Sequence, residues 1–150
     1  MRSVDVVSQV VIARPRDEVS TYAADPDNAT AWYVNIGAAK WKTRKPMVVG
    51  SQFAFVAKFM ARSMSYTHEV VDMDPGARLV MRTREGPFPM ETIYLWEDAA
   101  DGATKMTLRN RGEPSGFFGV AAPVIVGAMR RANAKDLRSL KSLLEAVRST

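Results

Sequence analysis

The residues that could do chemistry are few and stand apart from one another. Tyr66, His68, Thr92, Tyr94 and Asn110 are polar positions inside stretches whose alternation points them to an otherwise apolar face. His68 is the only histidine, so neither a two-histidine metal site nor a Ser-His-Asp set with a spare base is available. With an ordinary pKa near neutrality it is a candidate general acid or base, and equally an anchor for a ligand carbonyl. A buried histidine satisfied by Tyr66, Tyr94 or backbone is as good a reading. Tyr66 and Tyr94 have hydroxyls that can stabilise a developing enolate or phenolate. Tyrosine is also an ordinary occupant of half-buried strands. Asn110, if inward, must find partners for its amide, which makes it a ligand anchor or a water-mediated packing residue. The candidate catalytic groups are thus His68, Tyr66 and Tyr94.

Other chemistries lack their residues. There is no cysteine, and therefore no thiolate metal site, disulfide framework or cysteine nucleophile. No phosphate-cradling glycine loop, His-Glu-x-x-His pair or dinucleotide fingerprint occurs, so no cofactor and no metal are expected. Arg82, Arg84, Arg109 and Arg111 belong to the outer sheet face unless the register slips by one. Lys40, Lys42, Arg44 and Lys45 with Trp41 form a basic-aromatic strip, read as a solvated strand in preference to a nucleic-acid surface. The formal charge of +5 is spread along strands and one helix face.

The elements that must position these groups follow from periodicity. Residues 4–13 read as a strand ended by Arg14-Pro15. Residues 16–24 make a short amphipathic helix. Asp25-Pro26-Asp27-Asn28 is a turn and a fresh N-cap, followed by a second short helix to about Val34. The period then becomes two: 40–44, 51–60, 63–73, 79–83, 88–97 and 105–111 read as strands. Pro75-Gly76 and Asp101-Gly102 mark turns. Six or seven strands with short connections imply an antiparallel meander. Pro123 marks a kink or the true start of a long C-terminal helix. Val124, Ala128, Met129, Leu137, Leu140, Leu144 and Val147 make its apolar stripe.

A curved sheet wrapped around one helix leaves volume to fill, because a helix is only about 10 Å across. The residues expected to face that volume are Trp32, Phe53, Phe55, Phe59, Met64, Met81, Met90, Met106, Leu108, Val124 and Met129. Tyr66, His68, Thr92, Tyr94 and Asn110 are the polar members. An apolar lining with sparse polar anchors is the composition of a small-molecule pocket, and also of a plain core. Nine methionines favour an adaptable interior.

Ile12-Ala13-Arg14-Pro15 with Val19, Asp25-Pro26, Trp32, Gly50 with Phe53, Asp74-Pro75 with Leu79-Val80, Asp101-Gly102-Ala103-Thr104 and the tail over 136–145 occur in an order that resembles the START-like, Bet v 1-like (SRPBCC) superfamily. The resemblance is greatest to its bacterial polyketide cyclase/dehydrase and lipid-transport branch. It implies an α+β helix-grip fold of β-α-α-β6-α topology over 1–150, with a central cavity for lipids, polyketides or similar molecules. It transfers no catalytic motif onto these residues. The expectation is a non-catalytic binder or carrier of a hydrophobic small molecule. The alternatives are an aromatase/cyclase-like enzyme and a regulatory interaction module using the basic strip or Arg130, Arg131 and Arg138. No apolar core like that of a signal peptide stands in the first residues, and no run suits a stable membrane span. A cytoplasmic monomer or homodimer without nucleic acid is expected. A glycine-rich lid is expected over 112–119.

Overall fold

The computed structural model describes residues 4–59, 62–86, 89–112 and 121–146, with the Phe59 side chain left aside. Strand β1 (Val4–Ile12) leads through Pro15 into helix α1 (Arg16–Ala24). Asp25 accepts the Asp27 N–H, opening a 3-10 turn at Pro26–Asn28 that runs into helix α2 (Ala29–Trp32). Six strands follow: β2 (Ile36–Trp41), β3 (Gln52–Phe59), β4 (Arg62–Asp74), β5 (Arg78–Glu85), β6 (Met90–Asp98) and β7 (Thr104–Gly112). The chain then forms helix α3 (Ala122–Ala146).

The seven strands make one antiparallel sheet in the order β1-β7-β6-β5-β4-β3-β2. The register shifts between Thr67 and His68, between Val70 and Asp72, and between Ile36 and Ala38. Bulges of this kind bend a strand and increase its twist. The curled sheet wraps α3 as a half-barrel, the helix-grip arrangement expected. Gly76, at φ 83°, is the turn residue that Pro75-Gly76 announced.

The outward arginines stand where the alternation put them. Arg82 and Arg111 both bind Glu91, at 2.9 and 2.6 Å, and Arg109 takes both oxygens of Asp5. Lys40, Lys42, Arg44 and Lys45 are exposed. The Trp41 ring instead packs edge-on against Phe53, 5.1 Å away, with its Nε1 buried.

Two expectations change, and one choice between alternatives is decided. Strand β2 begins at Ile36 and ends at Trp41, where 40–44 was expected. Gly37-Ala38-Ala39 has no alternation to read, and pairing with β3 decides its conformation. Of the two readings of Pro123, the start of the long helix holds and the kink does not: it sits in the first turn of α3, where its missing N–H costs nothing. Gly112, expected as a lid hinge, is a strand residue paired with Val4 and Met90. A Cβ there would stand 2.4 Å from the Pro89 carbonyl oxygen, so the glycine permits a close approach. The rest of the expected lid lies outside the described residues, as does the Phe59 side chain.

Candidate functional site: a cavity under the long helix

Each long strand runs from a packed end to an open end. Along β3 the inward residues are Phe53, then Phe55 and Ala57. Along β4, read backwards, they are Val70, then His68, Tyr66 and Met64. Leu79 is followed by Met81 and Thr83 on β5. Trp96 is followed by Tyr94, Thr92 and Met90 on β6, and Met106 and Leu108 by Asn110 on β7. The first-named residues are buried in one hydrophobic cluster with Ile12, Val19, Leu137, Leu140 and Leu144. The later ones line a cavity of about 170 Å³, closed on the helix side by Met129, Ala132, Asn133 and Asp136. Beyond it, Val4 and Val6 pack with Ala122 and Ile125 as a second, smaller cluster.

The residues expected around a ligand therefore divide by position. Phe55, Met64, Tyr66, His68, Met81, Met90, Thr92, Tyr94, Asn110 and Met129 line the cavity. Trp32, Phe53, Met106 and Leu108 do not; they are almost fully buried in the packed end. Val124 points to solvent, 58% exposed, because the inner face of that turn belongs to Ile125.

Several lining residues carried no individual signal: Tyr33, Asn35, Ile36, Lys58, Thr83, Ala132, Asn133 and Asp136; Ala57 also lines the cavity, on the face its alternation with Phe53 and Phe55 gives it. Asn133 and Asp136 were recoverable. The apolar stripe of α3 is empty between Met129 and Leu137, and these two residues stand three apart inside that gap. A polar residue in a stripe is a buried polar residue.

The polar groups fall into satisfied and unsatisfied sets. Thr92 donates to Asn110 Oδ1 at 2.8 Å, and Thr83 to the Met90 carbonyl at 3.3 Å. The Tyr33 and Tyr94 hydroxyls bond to each other. Asp136 Oδ1 accepts the Val34 N–H at 2.8 Å, which clips the segment after α2 to α3. By contrast His68 Nδ1 and Asn133 Nδ2 are buried without a partner among the described residues.

Burial dominates the electrostatics. It pushes the His68 pKa down to about 4, so the ring is neutral near physiological pH. It lifts the Asp136 carboxyl to about 6, with the Val34 N–H pulling the other way. Burial, with the Asp136 charge adding to it, lifts the Tyr66 hydroxyl to about 12. Tyr33 and Tyr94 are raised too, by burial first. The cavity therefore offers neutral hydroxyls, a neutral imidazole, amides and one carboxyl, with the Lys58 amine at its exposed rim. No group of three or more metal-ligating side chains occurs among the described residues.

A curled antiparallel sheet gripping a long helix, hollow at one end, defines a ligand-binding fold of the Bet v 1-like class. Residues 3–145 match the profile of the polyketide cyclase/dehydrase and lipid transport family, and the chain belongs to that family. A protein of Thermus thermophilus superposes with a TM-score of 0.81 at 17% identity, covering 95% of this chain and 99% of that one. The Zhui aromatase/cyclase of Streptomyces gives 0.80 at 16% identity, covering 96% and 94%. A START superfamily protein of Mycobacterium smegmatis gives 0.71 at 15%, covering 94% of each. These likenesses show the shared fold. None of the curated protein sequences compared with the chain matches it.

Proposed function

We propose that the protein binds and carries a small hydrophobic molecule in the cavity between the sheet and α3. The observation that carries this reading is the change of packing along five successive strands, from solid core to an apolar-lined space with a few polar groups. Phe55, Met64, Met81, Met90 and Met129 supply adaptable apolar contact, and Tyr66, His68, Tyr94 and Asn110 the anchors.

Size limits the ligand. An apolar cavity of ~150 Å³ takes one benzene ring. The space here, about 170 Å³, suits one ring with a substituent, or the end of a longer molecule leaving past the exposed Asn35 and Lys58. Burying ~250 Å² of apolar ligand surface is worth about 6 kcal/mol, and association costs remove part of it. Shape alone thus supports about millimolar affinity, and tighter binding must come from the polar groups.

The test is native mass spectrometry of the purified protein beside an organic extract of what it carried, followed by titration with single-ring aromatics. A stoichiometric apolar adduct or saturable binding supports the reading. An empty protein that binds none of these compounds overturns it. A cyclase using His68 as its base is the weaker reading, since a ring held at about 4 with no orienting partner is poorly matched to proton abstraction near pH 7. Unchanged turnover after His68→Gln would remove that role altogether.

A further inference from the structure

An unpaired carboxylate is the group this cavity can least easily keep to itself. Asp136 is only 4% exposed; its Oδ1 holds the Val34 N–H, and its Oδ2 has no hydrogen-bond partner among the described residues. The ion pairs formed by the described residues lie on the outer sheet face and along the surface of the helices and loops, and none includes Asp136. A buried charge without a countercharge costs several kcal/mol.

Aromatic rings line the same cavity. The carboxylate acts on the hydroxyls of Tyr33, Tyr66 and Tyr94, which come from three different segments. Phe55 lines the same space, its ring 5.8 Å from that of Tyr66. Ring faces carry partial negative charge and attract cations, and phenol oxygens accept hydrogen bonds. Asp136 is thus the one carboxylate that the described residues bring to the cavity lining, set on the helix side, while the lining cation, Lys58, is an exposed residue at the rim.

We propose that the polar end of the ligand is an organic ammonium group, seated on Asp136 within the rings of Tyr33, Tyr66, Tyr94 and Phe55, with a ring-sized apolar body against Met81 and Met129. This rests on the cavity-binding reading above. An ammonium supplies the countercharge that no described side chain supplies. Its N–H groups donate to Asp136 Oδ2, and it gains further from the ring faces. A hydroxyl would make one of these bonds and leave the charge uncompensated. A carboxylate or phosphate on the ligand would be repelled.

Calorimetric titration with benzylamine, benzyl alcohol and benzoate tests this, since the three match in size and differ in charge. At pH 7.5 benzylamine should bind at least about tenfold more tightly than benzyl alcohol, with benzoate weakest. At pH 5 the amine's advantage should fall by about tenfold, because Asp136 takes up a proton there. Of the other groups facing it, Tyr33, Tyr66, Tyr94 and His68 stay neutral, and Lys58 stands at the exposed rim. Asp136→Asn keeps an acceptor for the Val34 N–H. It should bind benzyl alcohol like the wild type, which also reports that it folds, and benzylamine no better than the alcohol. Saturable binding of benzyl alcohol without preference for benzylamine overturns the ammonium assignment and leaves the cavity reading standing. Binding of none of the three overturns both. Should Asp136→Asn not fold, the wild-type preference and its loss at pH 5 decide the matter.

Discussion

The two ends of the interior are built from the same strands and the same helix, yet they obey different rules. At the packed end Phe53, Leu79, Met106, Leu108, Leu137 and Leu140 are at most 1% exposed and belong to one hydrophobic cluster. One or two residues further along the same faces, Tyr66, His68, Thr92, Asn110, Asn133 and Asp136 surround empty volume. The first region contributes stability and the second spends some of it. Buried polar atoms without a partner among the described residues occur at both ends, the indole nitrogens of Trp32 and Trp96 at the packed one and His68 Nδ1 and Asn133 Nδ2 at the cavity, and they persist only where apolar packing offsets their cost.

Truncation should separate the ends most sharply. Phe53→Ala removes a fully buried ring from close packing and should cost about 3–5 kcal/mol, read as a lower midpoint in urea. Met90→Ala, half-buried and facing the cavity, removes atoms that already lack neighbours on one side and should cost under about 1.5 kcal/mol. Equal losses would mean that the cavity end is as tightly packed as the other, and the distinction would fall.

The sheet was legible in the sequence because every strand that buries one face must alternate, and β3, β4, β6 and β7 do. The order of elements was legible for the same reason, helped by Pro15, Pro75-Gly76 and Asp101-Gly102. Where along each strand the core ends was not legible. Alternation says that Phe53 and Phe55 share a face, and nothing in it says that α3 covers one closely and stands off from the other. Trp32, Met106 and Leu108 were therefore grouped with cavity residues, and Val124 was placed inward when Ile125 takes that position. Tyr33 has no periodic signal at all, since it follows α2 in a segment whose path is fixed by the Asp136–Val34 bond.

Two buried titratable groups give the cavity end a pH signature that the packed end lacks, and their signs oppose. For His68 the folded pKa, about 4, lies below its ordinary 6.5. The unfolded chain therefore binds more protons between these values, and stability falls as pH drops from 6.5 towards 4, by about 3 kcal/mol. For Asp136 the folded pKa, about 6, lies above its ordinary 3.8. Here the folded chain binds more protons, and stability falls as pH rises from 3.8 towards 6, again by about 3 kcal/mol. Between about pH 4 and 6 the two slopes largely cancel in the wild type. His68→Gln should unmask the Asp136 slope and become more stable relative to wild type on acidification. Asp136→Asn should gain about 1–3 kcal/mol at pH 7.5 and lose that advantage by about pH 4, leaving the His68 slope exposed. Urea midpoints at pH 4, 5, 6 and 7.5 check both, and parallel profiles for the two variants would contradict the opposed burial of these groups.

The smallest effect on stability should accompany the largest effect on binding. Ala132 faces the cavity from α3, one turn from Met129 and Asp136, and has open space before its methyl group. Ala132→Leu keeps a strong helix former and adds apolar atoms where the cavity already is, so stability should change by less than about 1 kcal/mol in either direction. The same atoms occupy the volume a ring-sized ligand needs. Saturable binding of benzyl alcohol should therefore disappear while the urea midpoint scarcely moves. At the packed end the corresponding enlargement, Ala23→Leu, meets a space of only about 10 Å³ shared with Phe53, too small for the added atoms, and should destabilise the fold by about 1–3 kcal/mol. If Ala132→Leu proved as damaging as Ala23→Leu, α3 would have to lie as close to the sheet at the cavity end as at the other, and the ligand would have to bind elsewhere.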